Sequence, residues 1–516
     1  MAITSEALPW TELLDDGRED GRLVRQAFEG AQAPRLVDVP DGLHPKVYDA
    51  LANAGIEQLY VHQHEALMHA LQQTTIVTTG TASGKSLCFQ LPTLHALLSR
   101  PTARALYLYP TKALAQDQAR ALNRFGLPKE IRPAIYDGDT RTEDRRQIRR
   151  RSNLVLTNPD MLHVGILPNH NKYGWGDFFA NLDIVVVDEA HVYRGVFGSH
   201  VANVLRRLRR IAEPRILLAS ATIANPGELA ERLTGLDDVH VVEDDGSPGA
   251  RRQIAMWNPP VTDEALQTRR SALGEAGELV ARLVAEGART ICFIKSRKGV
   301  ELVSKIVKDE LEALGKPSLG ERIAPYRAGY TPQQRRELEL RLTNGDLLAV
   351  ITTDALELGI DIGALDAAVC VTFPGTVASL RQMWGRAGRR GRGLAVYVAG
   401  EDALDQFFCR HPDEFLERPV EAAILDHESE EIHDAHLLCA AHEGPIDPPR
   451  DADALGPRVR AHCEHLEARG DLVQRGGRFL LRRPEEFPAA AVSLRSASPD
   501  SYAIVNVEDG ELLGDT

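Results

Sequence analysis

Residues 75–86 read Thr75-Ile76-Val77-Thr78-Thr79-Gly80-Thr81-Ala82-Ser83-Gly84-Lys85-Ser86, and Leu87-Cys88-Phe89-Gln90-Leu91 follow. A short apolar strand, a small-residue loop ending Gly-Lys-Ser, then helical sequence is the arrangement that wraps backbone N–H groups around a nucleotide's phosphates. Lys85 is expected to set its ammonium on the β- and γ-phosphates. Ser86 is expected to offer its hydroxyl to Mg2+, and the following helix adds the positive end of its dipole. The stretch departs from the generic G-x-x-x-x-G-K-[ST] string. Thr79 stands where the first glycine belongs, and Gly80 comes one place late.

On either side of this loop, continuous apolar runs alternate with helical sequence: Ala105–Tyr109, Asn153–Leu156, Ile184–Val187 and Ile216–Ala219. Continuous rather than alternating runs suit strands covered on both faces, so a parallel α/β sheet is expected over residues 44–245, with a helix near Tyr60–Leu67. Asp244-Asp245-Gly246-Ser247-Pro248-Gly249 and Asn258-Pro259-Pro260 have linker composition. The rhythm restarts with Thr290–Ile294, Leu347–Ile351, Ala367–Val371 and Leu394–Val398, which predicts a second α/β lobe over 246–404. That lobe carries no Gly-Lys-Ser loop of its own, so a nucleotide held between two lobes is expected. Residues 1–43 show little apolar periodicity and read as an N-terminal arm. Residues 405–490 read as a helical, winged-helix-like module, with a helix, a Gly470 turn and two short strands around Gly476-Gly477. Residues 491–516 read as a tail or the start of a further domain.

A chain of 516 residues is too long for one core. Hydrophobic content of 43% and charged content of 26% are those of an ordinary globular protein. The balance of 60 Lys+Arg against 74 Asp+Glu gives −14, which argues against wholesale coating of nucleic acid but leaves room for a local basic stripe. Arg145, Arg146, Arg149, Arg150 and Arg151 form one such stripe, which reads equally as a solvated helix face. The six cysteines contain no C-x-x-C pair, so neither a zinc knuckle nor a disulfide framework is encoded. The first residues show no basic start followed by an apolar run and no stretch approaches the ~18 apolar residues of a membrane span, so a cytoplasmic location is expected.

Two further stretches carry chemistry. Ile184-Val185-Val186-Val187-Asp188-Glu189-Ala190-His191 is a buried strand ending in two carboxylates. Asp188 is placed to hold Mg2+ through water, and Glu189 to polarise the water that attacks the γ-phosphate. A helix N-cap is the other reading of two acids at a strand end. Arg381-Gln382-Met383-Trp384-Gly385-Arg386-Ala387-Gly388-Arg389-Arg390-Gly391-Arg392 sets guanidinium groups on a glycine-broken segment. That pattern suits arginine fingers, and a solvated face or nucleic-acid patch is the alternative.

With these stretches in order, the chain resembles a superfamily 2 helicase of the DEAH-box kind over residues 55–400. In that family the phosphate loop begins with Ala, Gly or Thr, so Thr79 fits the family form. The resemblance implies two RecA-like lobes and the following roles. Gln63, after Tyr60, would read adenine and make ATP the nucleotide. Thr79, Gly80, Thr81, Ala82, Ser83, Gly84, Lys85 and Ser86 would hold its phosphates. Pro110, Thr111, Lys112, Gly138, Asp139, Thr157, Asn158 and Pro159 would grip a nucleic-acid backbone from the first lobe; Ser296, Arg297, Thr352 and Thr353 would do so from the second. His191, Ser220, Ala221 and Thr222 would couple hydrolysis to lobe movement. Gly359 and Asp361 would meet the nucleotide, and Gln382, Arg386 and Arg389 would complete the catalytic set.

Within the superfamily, Asp188–Gly195, Tyr60-x-x-Gln63 and Arg386–Arg392 look most like the bacterial 3′-to-5′ DNA helicases of the mitomycin-repair type. That resemblance implies a monomeric motor on single-stranded or tailed DNA, acting in repair. Those proteins carry a C-terminal four-cysteine zinc domain with no counterpart in this sequence, so a truncated chain or a shorter relative is expected. A strand-splitting hairpin is not evident between Asp361 and Gln382, which suggests weak unwinding. An RNA helicase and an ATP-gated nucleic-acid clamp are the competing readings.

Overall fold

A computed structural model of the chain describes residues 8–265, 268–327, 329–357, 363–388 and 391–496, with the backbone of two further strands, Ala503–Val505 and Leu512–Asp515. These residues pack as two compact units. The first comprises Asp38–Thr78, Lys85–Glu243 and the residues from Ala422 onward; the second comprises the residues up to Val37, Thr79–Gly84 and Asp244–Glu421.

The first unit is built on seven parallel strands in the order His240–Val242, Thr75–Thr78, Arg215–Ser220, Leu182–Val187, Arg104–Leu108, Leu154–Thr157, Pro133–Ile135. The four residues of Thr75–Thr78 and of Leu154–Thr157 are buried throughout, as a strand sandwiched between helices requires. Apolar layers cover both faces. One contains Val185, Val187, Val201 and Leu205; the other contains Leu67, Phe89, Tyr107 and Val186.

The second unit carries seven strands in the order Leu23–Glu29, Arg251–Trp257, Arg392–Val398, Ala367–Val371, Thr290–Phe293, Ala349–Thr352, Ile323–Tyr326. All neighbours are parallel except Leu23–Glu29, which runs antiparallel to Arg251–Trp257. The expected pair of RecA-like α/β lobes is therefore present. The strands the apolar runs did not reveal are the three-residue edges Pro133–Ile135 and His240–Val242, together with Leu23–Glu29, Arg251–Trp257 and Ile323–Tyr326. Four of these are edge strands, which have less of their surface covered and so read as mixed sequence; Arg251–Trp257 is an inner strand whose first half, Arg251–Gln253, is polar and not fully buried.

Two expected boundaries are corrected. Residues 1–43 are not simply an arm: Thr11–Glu19 is a helix and Leu23–Glu29 a strand of the second unit's sheet. Trp10, Leu13 and Leu14 bury into the core beside Leu279 and Leu283, with Gly17 against Trp257, while Asp15, Arg18 and Glu19 face solvent. So narrow an apolar stripe looks like no stripe in a charged sequence. Arg22 then locks the segment down, bonding Glu275 at 2.7 Å and Glu278 at 3.2 Å.

The other boundary, placed at 405, falls instead after Glu421. The helices Ala403–Arg410 and Pro412–Glu417 belong to the second unit, where Phe408 and Phe415 pack on Phe373 and Tyr397. The winged-helix module begins beyond them with the helix Glu430–Glu443. Its wing is the antiparallel pair Leu472–Arg475 and Arg478–Leu481, joined by Gly476 and Gly477 at φ 57° and 80°. Two successive positive φ values are those of the tight hairpin turn that matches strand twist, which explains the Gly-Gly pair.

Candidate nucleotide site and nucleic-acid interface

The helix Val61–Ala70 starts where the Gln63 side-chain oxygen accepts the Tyr60 N–H at 3.0 Å, which fixes the orientation of an amide only 3% exposed. Thr78 then ties the loop strand sideways, its hydroxyl donating to the Ala221 carbonyl at 3.0 Å. The loop that follows is closed by a 2.7 Å hydrogen bond between the Thr79 and Ser83 hydroxyls. Ala82 at φ 63° and Gly84 at φ 77° turn successive N–H groups toward one side, the backbone nest that takes an anion. A carboxylate already exploits one such group: the Gly80 N–H donates to Asp245 Oδ2 at 2.9 Å. Lys85 and Ser86 open the helix Ser86–Ser99, and the Ser86 hydroxyl donates to Gln118 Oε1 at 3.4 Å.

At the end of the strand Leu182–Val187, the Asp188 N–H bonds the Leu108 carbonyl at 3.0 Å and carries the ladder one residue further. Glu189 then turns left-handed at φ 51° and ψ 47°, its N–H on Asp188 Oδ1 at 2.8 Å. Burial first, then the neighbouring Glu189 charge, pushes the Asp188 carboxyl up to about 7, against the pull of that backbone N–H and of Lys85. A buried carboxylate short of positive charge, with the Ser86 hydroxyl as a further oxygen donor, fits a magnesium ion, which prefers oxygen ligands and keeps several waters. His191 Nδ1 accepts the Ala221 N–H at 3.1 Å and lies 3.6 Å from Glu189 Oε2. A nitrogen that accepts from Ala221 cannot also donate to Glu189, so a neutral His191 carries its proton on Nε2. The segment Ser220-Ala221-Thr222 thus meets the loop strand through Thr78 and, through His191, lies beside Glu189.

Several residues expected to meet a nucleic-acid backbone do the same local job. Thr111 accepts the Leu114 N–H at 3.3 Å and starts the helix Lys112–Arg124; Asn158 accepts the Met161 N–H at 2.8 Å and starts Pro159–Met161. In the second unit, Ser296 starts Arg297–Ala313 through the Gly299 N–H at 3.0 Å, and Thr353 starts Asp354–Leu356. These caps follow strand C-terminal ends, where helix N-termini offer N–H groups and positive potential to phosphates. Lys112 Nζ bonds Asp139 at 2.8 Å, and a Cβ on Gly138 would stand 3.0 Å from Nζ, so these two segments meet. Thr157 is buried, its hydroxyl on the Tyr136 carbonyl at 2.6 Å; Thr352 and Pro159 are buried too.

Gln382 is buried on the helix Val377–Trp384. Arg386, expected as a finger, is 1% exposed and donates from Nη2 to the Glu357 carbonyl at 2.6 Å, bracing the segment after Leu356. Arg389, Gly359 and Asp361 lie outside the described residues. Gln118 and Asp245 were not singled out from the sequence. Neither belongs to a motif, and only folding brings them to the loop.

The fold and these stretches define the class: a helicase motor of two RecA-like lobes. The DEAD/DEAH box helicase family matches residues 60–229, the helicase conserved C-terminal domain residues 275–391, and the winged-helix domain of ATP-dependent helicase HRQ1 residues 425–497. The ATP-dependent helicase YprA of Bacillus subtilis (strain 168) is 42% identical over 97% of this chain and 67% of its own length. The ATP-dependent helicase hrq1 of Schizosaccharomyces pombe is 39% identical over 96% of this chain, which spans about half of that relative (48%). A crystal structure of the DUF1998 helicase MrfA bound to DNA and AMPPNP superposes with a TM-score of 0.86 at 40% identity, covering 98% of this chain and 70% of that one. The chain belongs to the YprA-type family of superfamily 2 ATP-dependent helicases. Among the described residues no helix is long and apolar enough to cross a membrane.

Proposed function

We propose that this chain is the motor of an ATP-dependent DNA helicase that tracks 3′ to 5′ along one strand in DNA repair, working as a monomer in the cytoplasm. The observation that carries the reading is the junction at Ala221, whose carbonyl takes Thr78 at the phosphate loop and whose N–H takes His191 beside Glu189. Through it, a change at the γ-phosphate reaches both the loop and Glu189. Likeness to a helicase bound to DNA and AMPPNP supports DNA and ATP over RNA.

In this reading Gln63 and Tyr60 recognise adenine, the loop 79–86 and Lys85 hold the phosphates, and Glu189 orients the attacking water. Mg2+ bound at Ser86 and Asp188 would neutralise charge on the phosphates. Arg386 and Arg389 add positive charge at the γ-phosphate, and Gln382 adds a neutral hydrogen-bond donor. Arg386 must give up the Glu357 carbonyl to do so. The capped helix N-termini at Thr111, Asn158, Ser296 and Thr353 hold phosphates without reading bases, so binding is sequence-tolerant and weakens with salt. Gly359 and Asp361 complete the nucleotide site. Different grips in the ATP and ADP states convert hydrolysis into a step.

The test is ATPase rate with single-stranded DNA, duplex DNA, RNA and no polymer. Stimulation by single-stranded DNA well above that by RNA is expected. Stimulation by RNA equal to or above it would favour an RNA helicase.

A further inference from the structure

The arginine stripe of the sequence forms the helix Thr142–Arg151 in the first unit, away from every residue of the nucleotide site. Its acids, Glu143 and Asp144, lie in the first turn. Arg145 ties the helix to the turn at Gly138 and Asp139, donating to the Asp137 carbonyl at 3.2 Å and the Thr140 carbonyl at 3.1 Å. One turn further along, Arg149 donates from Nη1 to the Tyr136 hydroxyl at 3.1 Å. Arg146, Arg150 and Arg151 are exposed and, among the described residues, meet no carboxylate. Arg146 and Arg150 are four positions apart on one face, a like-charge spacing that weakens a helix. Beside this face stands Tyr173. It is 67% exposed, and its backbone is left-handed at φ 55°, a conformation that carries a cost for any residue with a Cβ. The Arg149 guanidinium covers one side of the Tyr173 ring, 5.7 Å from its centroid. A Cβ on the next residue, Gly174, would stand 3.6 Å from both Arg149 Cβ and Arg150 Cγ, so the loop lies directly against the helix.

We propose that Tyr173 and this helix face bind single-stranded DNA, with a base stacked on the exposed side of the Tyr173 ring and the neighbouring phosphates on Arg146 and Arg150. Cations in a last helical turn offset the helix dipole and need no ligand for that. The dipole accounts for Arg149, Arg150 and Arg151. It accounts neither for Arg146 nor for a solvent-facing aromatic held in a strained turn against an arginine, and strain of that kind persists where function uses it. An aromatic face among guanidinium groups holds a single strand without reading its sequence, because every base has a face to stack and every phosphate a charge to pair. A duplex keeps its bases stacked on one another, and a bare anion has no face, so neither uses Tyr173. On a chain of net charge −14, a run of guanidinium groups without carboxylate partners is also a local positive field that draws in a polyanion. Through Arg145 the patch continues the first unit's grip beyond Gly138 and Asp139. The inference rests on the proposed reading of the chain as a DNA motor.

The test is fluorescence anisotropy of a labelled oligothymidylate strand titrated with the full chain over a range of salt. Tyr173→Ala is expected to weaken binding about fivefold or more at each salt concentration, the lower end of what one base-stacking contact supplies, and Tyr173→Phe to restore it. The double variant Arg146→Gln, Arg150→Gln should flatten the slope of log affinity against log salt by about 1.4, at about 0.7 for each phosphate contact on a single strand. Circular dichroism and melting temperature check that the variants fold. With the unaltered chain, a strand carrying 5-iodouracil should photo-crosslink to residues 172–174, a result that needs no variant. Crosslinks confined to other segments, or affinity and salt slope unchanged in the folded variants, would overturn the patch and leave the DNA motor standing. An unaltered chain that binds no single-stranded DNA would overturn both.

Discussion

Glu189 is a non-glycine residue held at φ 51°, a conformation costing about 1–2 kcal/mol, and it is buried beside a second carboxylate. A sheet tolerates such an arrangement where the chemistry needs it. Removing the charge while keeping the shape should separate catalysis from folding: Glu189→Gln is expected to keep nucleotide affinity and melting temperature while lowering DNA-stimulated kcat by about 10²-fold or more. Steady-state ATPase and nucleotide titration check this. Unchanged stimulated turnover would remove Glu189 from the water-orienting role. Lys85, Ser86, Asp188 and Glu189 were legible in the sequence because each sits at a fixed step from a buried apolar strand. Gln118 and Asp245 were not, because they reach the loop from 32 and 165 positions away and only the fold brings them there.

In the proposed function, elements of secondary structure carry the coupling. His191 sits on the 3-10 turn Ala190–Val192 and holds the Ala221 N–H, so His191→Ala cuts one of the two ties to that segment. The expected result is nucleotide affinity within about threefold of the unaltered chain and fewer base pairs opened per ATP, measured by strand displacement alongside phosphate release. A second element-level test lies at the turn before Arg392–Val398. A Cβ on Gly393 would stand 2.6 Å from Gly388 Cα, so Gly393→Ala must push aside the backbone at Gly388, two residues after Arg386. Stimulated ATPase should fall by about tenfold or more with the first unit's helices intact by circular dichroism. At this scale the sequence revealed most strands as continuous apolar runs. It hid the helix Thr11–Glu19 and the edge strands, whose buried side chains are too few to outweigh the charges between them. The capping roles of Thr111, Asn158, Ser296 and Thr353 were also hidden, since a cap is read from a boundary that the sequence places only loosely.

For the whole first unit, the largest feature unread in the sequence is the seat of the winged-helix module. The helix Glu430–Glu443 lies on Gly195–Ile211 through a buried polar cluster. Arg207 pairs with Glu443 and meets His163 Nδ1 at 2.7 Å and His436 Nδ1 at 3.2 Å, while His200 bonds His436 at 3.0 Å. His433 meets Asn203 at 3.1 Å and packs edge-on against His462, which holds Asp434. Histidines scattered from His163 to His462 give no pattern until folding brings them together.

Burial, then the Arg207 charge, holds His163 down at about 3 and His436 well below its usual value. Burial and His462 hold His433 at about 3. Burial alone lowers His200 against its bond to Ser496. The folded chain therefore binds fewer protons here than the unfolded chain. The stability these groups contribute is complete above pH about 6.5 and is lost progressively as pH falls from there toward about 3. Urea midpoints between pH 8 and 4 should fall below pH about 6.5, and less steeply in His436→Gln. A flat profile would contradict the buried neutral cluster.

The central claim is that Lys85, Glu189 and the Ala221 junction drive a DNA motor of one polarity. The most direct measurement is strand displacement by the full chain on duplexes with a 3′ or a 5′ single-stranded tail, with ATP and Mg2+, alongside Glu189→Gln. ATP-dependent displacement from the 3′-tailed duplex alone, lost in Glu189→Gln, is expected. Displacement from the 5′ tail alone, or displacement that Glu189→Gln retains in full, would contradict the account.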